Sequence, residues 1–116
     1  MERAYLVRRV TAYRLCEIMR KNQFDGSEAR AVEGVMDCDL LFIDDLGTEP
    51  QTKNTSGYLF QVINERNMND RHTIISTNLN PERMEGMYEQ RVASRLMDVS
   101  RTTAIRFYGE DLRLRK

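Results

Sequence analysis

The segment Leu40–Glu49, with the sequence LLFIDDLGTE, constrains this chain more than any other stretch. Four large apolar residues run without a break into two adjacent carboxylates, Asp44 and Asp45. A continuous apolar run is what a strand needs when both faces of its sheet are covered. Acids at the end of such a strand stand outside the carboxyl edge of an open α/β sheet, where ligands bind. Their oxygens suit a hard cation such as Mg²⁺, usually with a phosphate alongside. The plainer alternative is an acidic pair that ends a strand and caps the turn at Gly47.

The flanking sequence alternates strand and helix patterns. Tyr5–Val10 mixes apolar and Arg residues and reads as a strand near a sheet edge, where charge is tolerated. Thr11 can cap a helix to about Lys21, with Ala12, Leu15, Cys16 and Met19 on one face. Asn22–Gly26 reads as a turn, and Ser27 as the cap of a shorter helix with Ala31, Val32, Val35 and Met36 inward. The buried strand Asp39–Asp44 follows. Gly47–Ser56 is a polar loop, and Ser56–Asn69 a helix packing through Leu59, Phe60, Val62, Ile63 and Met68. Asp70–Arg71 turns the chain into Thr73–Thr77, a second strand, rich in β-branched residues. Asn80 and Pro81 open a helix that runs, with a break near Gly86, to about Met97. Ala104–Phe107 is a last strand before a basic tail. Strands alternating with helices imply an α/β fold with a mainly parallel sheet.

With 116 residues, 41% hydrophobic and 31% charged, the chain has the composition of one ordinary globular domain. No apolar stretch reaches membrane-spanning length, and the start lacks the apolar core of a secretory signal. Cys16 and Cys38 are isolated, which predicts reduced, partly buried thiols and a cytoplasmic protein. The net charge is zero but unevenly spread. Residues 1–24 carry six basic side chains against Glu2 and Glu17, while residues 25–50 carry eight acids against Arg30. This is either a set of solvated faces or, at the N-terminus, a surface for nucleic-acid phosphates.

Three features could carry chemistry. Asp44 is the candidate for a Mg²⁺-linked carboxylate acting through the metal's water shell, and Asp45 for the acid that orients or polarises an attacking water. Glu49 is a second candidate for that acid. Asn78 follows the strand Thr73–Thr77, so in a parallel sheet it stands beside the acidic pair if the two strands are neighbours. It could donate to a γ-phosphate, or simply stabilise its own turn. Arg91 and Arg95 lie four apart and share a helix face. A guanidinium there can reach a transferring phosphoryl group across a subunit boundary, or form surface ion pairs with Glu89 or Asp98.

The order of these parts resembles the AAA+ ATPases. More narrowly, LLFIDDLGTE, TIISTNL (residues 73–79), YEQRVASRL (88–96) and FYGEDLR (107–113) resemble the bacterial replicative-helicase loaders of the DnaC/DnaI type, with the IstB transposition ATPases as close kin. The resemblance implies Asp44 and Asp45 as the Walker B acids, Asn78 as sensor 1, and Arg95 as the arginine finger with Arg91 the alternative. It implies ATP and Mg²⁺ as cofactors. The implied partners are the replicative DNA helicase, single-stranded DNA and further copies through the ATPase interface, with no membrane. Tyr5 and Tyr13 could stack bases on the basic N-terminal surface.

One family element is absent from these 116 residues. No G-x-x-x-x-G-K-[ST] occurs, and none of the six glycines precedes a Lys-Ser or Lys-Thr pair. That loop supplies most phosphate-binding contacts. The expected architecture is therefore an incomplete P-loop NTPase three-layer sandwich, with residues 1–116 running from the family's second strand to its C-terminal strand and tail. The first strand and P-loop are missing. Such a piece is expected to bind ATP poorly or not at all and to hydrolyse it negligibly; the alternatives are part of a transposition-helper ATPase, or a non-catalytic interaction module that kept the fold after losing its nucleotide site. The unpaired edges are expected either to pair with one another, Thr73–Thr77 with Ala104–Phe107, or to associate with a second chain.

Overall fold

The computed structural model describes residues 5–96 and 102–106. Strands β1 (Val7–Thr11), β2 (Leu40–Leu46), β3 (His72–Thr77) and β4 (Thr102–Arg106) form one parallel sheet in the order β1-β2-β3-β4. Helices α1 (Ala12–Asp25) and α2 (Ala29–Asp37) join β1 to β2, and α3 (Thr55–Met68) joins β2 to β3. Helices α4 (Pro81–Met87) and α5 (Gln90–Leu96) lie between β3 and β4. β3 and β4 pair directly, from Thr73 opposite Thr102 to Thr77 opposite Arg106. The expected pairing of these two strands is thus made within one chain, with the last strand starting two residues earlier than expected and Phe107 lying outside the described residues.

Strand order follows chain order, so right-handed crossovers deliver every connecting helix to the same face of the sheet. The core agrees: Leu41, Ile43 and Leu46 of β2 and Ile75 of β3 pack with Leu15 and Met19 of α1, Val35 of α2, Leu59 and Ile63 of α3 and Val92 of α5. Leu40, Phe42 and Ile74 point to the other face and are only half-buried. Among the described residues, the sheet and one helical layer are therefore two of the three layers expected. Among the described residues, the uninterrupted apolar run of β2 meets helices on one side only.

Local chemistry explains most boundaries. Thr11 caps α1, its hydroxyl accepting from the Arg14 amide at 3.0 Å. The helix continues a turn past Lys21 and stops where Gly26 takes φ 71° and returns its amide to the Asn22 carbonyl. Residues 22–25 are helix, not turn, because that left-handed stop comes only at Gly26. Glu28, not Ser27, precedes α2. Asn80 caps α4 through the Arg83 amide, with Pro81 in the first turn, as the sequence predicts. The expected break falls at Tyr88–Glu89, two residues past Gly86. Met68 is 76% exposed instead of packed inward, because it stands on the side of α3 opposite the buried face of Leu59, Val62, Ile63 and Arg66.

Among the described residues, the largest fully buried side chain is Arg66. Its guanidinium donates to the carbonyls of Val35 (2.8 Å), Met36 (3.2 Å) and Cys38 (2.8 Å), which close α2. It also donates to the His72 carbonyl (2.6 Å) and to the Thr73 hydroxyl (3.0 Å). One side chain of α3 thereby ties the end of α2 to the entry of β3. Burial lowers its pKa, yet carbonyl ends of a helix suit a cation. Cys16 and Cys38 are free and buried, and burial pushes the Cys16 thiol up to about 12. No described helix is long and apolar enough to cross a membrane.

Candidate functional site

The carboxyl ends of β2 and β3 meet around the acidic pair. Ile43 pairs with Ile75 and Leu46 with Thr77, so β2 holds one extra residue there and bulges at Asp44–Asp45. Asp45 sits at φ 57°, a left-handed conformation that costs a residue with a Cβ about 1–2 kcal/mol. Gly47 follows at φ 107° and lies so close to Leu79 that a Cβ would stand 3.0 Å from its side chain. The chain therefore turns sharply beside β3, and Thr77 locks the turn by donating to the Leu46 carbonyl at 2.7 Å.

Asp44 is held on both carboxylate oxygens. The Ser76 hydroxyl donates to Oδ1, and the Arg9 guanidinium donates to Oδ2. Ser76 also accepts the Asp45 amide at 3.1 Å, which fixes the bulge to β3. The Ser76 hydroxyl, and after it Arg9, holds the Asp44 carboxyl below the usual carboxylate range, against partial burial working the other way. Asp44 thus stays ionised at neutral pH with 18% of its side chain open to solvent. Among the described residues, no three His, Cys, Asp or Glu side chains cluster as a metal cage. One ionised carboxylate beside a hydroxyl fits a Mg²⁺ that keeps waters and phosphate oxygens as its other ligands.

Asn78 stands exposed just past β3, the strand hydrogen-bonded to β2, so the neighbouring-strand condition is met. Glu49 is elsewhere: only 3% exposed, it accepts the Gly47 amide at 2.8 Å through Oε1 and the Tyr88 hydroxyl through Oε2. Both oxygens serve the turn and the α4–α5 junction, a buried structural role unlike that of a water-polarising acid. Arg91 and Arg95 share a face of α5 as expected, and both lie over the Phe60 ring of α3, at 4.6 and 6.0 Å from its centroid. Arg91 also pairs with Glu89 at 2.9 Å. Asp98 lies outside the described residues.

Two site residues escape a reading from sequence. Ser76 shares a face with Ile74, which pairs with Phe42, so period-two alternation carries it to the Asp44 side. Arg9 pairs with Phe42 from the other flank, and its long side chain runs along that face to Asp44. Motif spacing contains neither fact; strand register does.

The IstB-like ATP binding protein family matches residues 2–116. An uncharacterised protein of Escherichia coli (strain K12), YdaV, is 28% identical over 88 residues, covering 75% of this chain and 36% of that protein. Among solved structures, AMPPCP-bound DnaA from Aquifex aeolicus superposes with a TM-score of 0.71 at 18% identity, over 89% of this chain and 32% of that one. A replication initiator DnaA bound to AMPPCP and single-stranded DNA gives the same score and identity, over 90% and 32%. At that identity the likeness establishes the P-loop NTPase fold alone. The chain spans about a third of the length of these relatives.

Proposed function

The chain belongs to the IstB-like ATP binding protein family, and from that premise we propose that it is the metal-side portion of an AAA+ ATPase that loads the replicative helicase onto single-stranded DNA. The observation that carries the ATPase part of this reading is Asp44 at the carboxyl end of β2, clamped by Ser76 at the end of the neighbouring strand that leads into Asn78. In it, Asp44 would hold Mg²⁺, Asp45 would orient the attacking water, and Asn78 would contact the γ-phosphate. Arg95, with Arg91 the alternative, reaches a phosphate bound by a neighbouring copy, which makes self-association part of activity.

Tyr5 and Tyr13 are 80% and 53% exposed, and Arg8 and Arg20 are exposed as well. These support a single-stranded DNA path, a ligand that one DnaA structure holds. The test is fluorescence anisotropy with a labelled oligothymidine across a salt series. Binding that falls steeply with salt agrees with the proposal, and no binding at low salt contradicts it.

A second reading, a transposition helper with a transposase as partner, draws on the family match itself. Purified replicative helicase and transposase, each passed over the immobilised chain, separate the two. Retention of the helicase supports loading and retention of the transposase supports the helper.

A further inference from the structure

The solvent side of Asp44 is occupied by another residue of the same chain. Ser76, 1% exposed, takes Oδ1 from the interior of the sheet. Arg9, whose side chain is 69% exposed, takes Oδ2 from solvent, across from the edge strand β1. A cation arriving from solvent meets the Arg9 guanidinium first. The carboxylate has spare lone pairs. Even so, a divalent ion seated there beside an unmoved guanidinium would face like-charge repulsion at close range.

We propose that Arg9 is the resident counter-cation of Asp44, paired with it when no metal is bound and displaced when a divalent cation binds. The inference rests on the Mg²⁺-linked role proposed for Asp44. Arg9 is a positioning residue: it contacts the carboxylate and neither nucleotide nor reacting atoms. Its exposure makes displacement easy, since most of the side chain faces solvent and water can take over its donors. Ser76 stays in place and keeps the carboxylate aimed as the guanidinium leaves. Arg9 thereby sets the cation concentration at which the site fills.

The test uses Mn²⁺ alone, added to the full ¹⁵N-labelled chain, with paramagnetic broadening of the Asp45, Ser76 and Asn78 amides as the readout. Arg9→Gln should lower the Mn²⁺ midpoint by roughly two- to five-fold, the size of an exposed charge pair. Arg9→Lys, which keeps the charge, should stay near the parent value. Because Arg9 lies exposed on an edge strand, these variants should fold, and far-UV circular dichroism checks that. An unchanged midpoint in Arg9→Gln, or equal effects of Gln and Lys, overturns the proposal. Asp44→Asn separates the two levels. Loss of broadening in Asp44→Asn supports the metal role whatever Arg9 does, and unchanged broadening there removes the metal role on which the inference stands.

Discussion

Ser76 donates its hydroxyl to Asp44 and accepts the amide of Asp45, so one buried side chain on β3 holds both residues of the acidic pair on β2. Ser76→Ala deletes both contacts and strands a partly buried amide. A loss of about 1–2 kcal/mol in urea unfolding at neutral pH is expected. The sign with pH is fixed by the depressed pKa of Asp44. Its stabilising share is full above the unfolded carboxylate value, near pH ~4, and is lost as pH falls through the lower folded value. The gap between parent and variant should therefore narrow below about pH 4. A gap independent of pH would show that Ser76 does not act through the Asp44 charge.

Asp45 stores strain where chemistry is proposed. Asp45→Gly removes the Cβ penalty of the left-handed conformation and should leave stability unchanged or raise it by up to about 1 kcal/mol. Asp45→Val adds a β-branched side chain to the same conformation and should cost about 2 kcal/mol. Equal stability of the two variants in chemical denaturation would mean that the bulge relaxes freely.

How much of this was readable beforehand follows from the kind of interaction. The apolar run Leu40–Ile43, the caps at Thr11 and Asn80 and the strand Thr73–Thr77 are local signals, and each appears within a residue or two of its expected place. The placement of the acidic pair and Asn78 at the ends of neighbouring strands was legible because chain order and parallel pairing suffice for it; their roles are proposals. Ser76, Arg9 and the burial of Glu49 depend on register and on contacts more than thirty residues apart, which spacing along one strand cannot encode. That the described helices all lie on one face of the sheet was hidden for the same reason, since an apolar run says that a strand can be covered and not by what.

Glu49 and Tyr88 form a buried pair between the turn after β2 and the α4–α5 junction. Tyr88→Phe leaves a nearly inaccessible carboxylate oxygen without its donor and should cost about 1–3 kcal/mol. The site residues Asp44 and Asp45 should keep their metal response in this variant, which Mn²⁺ broadening would check. Loss of that response would return Glu49 to the chemistry.

Arg66 offers a test of the core. Arg66→Ala abandons the carbonyls of Val35, Met36, Cys38 and His72 together, and a loss of about 3 kcal/mol or more is expected in thermal or urea unfolding. Arg66→Lys should recover only part of it, because an ammonium cannot span the same fork of acceptors. Full recovery by Lys would show that charge at the end of α2, and not the fork, is what matters.

The central claim is that this chain carries the Asp44 side of a nucleotide site and lacks the lysine-bearing phosphate loop. A titration of the full chain with Mg·ATP, followed by amide chemical shifts in the parent and in Asp44→Asn, addresses it most directly. The account predicts weak, non-saturating shifts at millimolar nucleotide, confined to residues 44–47 and 76–78 and abolished in Asp44→Asn. Saturation at micromolar ATP, or shifts centred elsewhere and indifferent to Asp44, would contradict it.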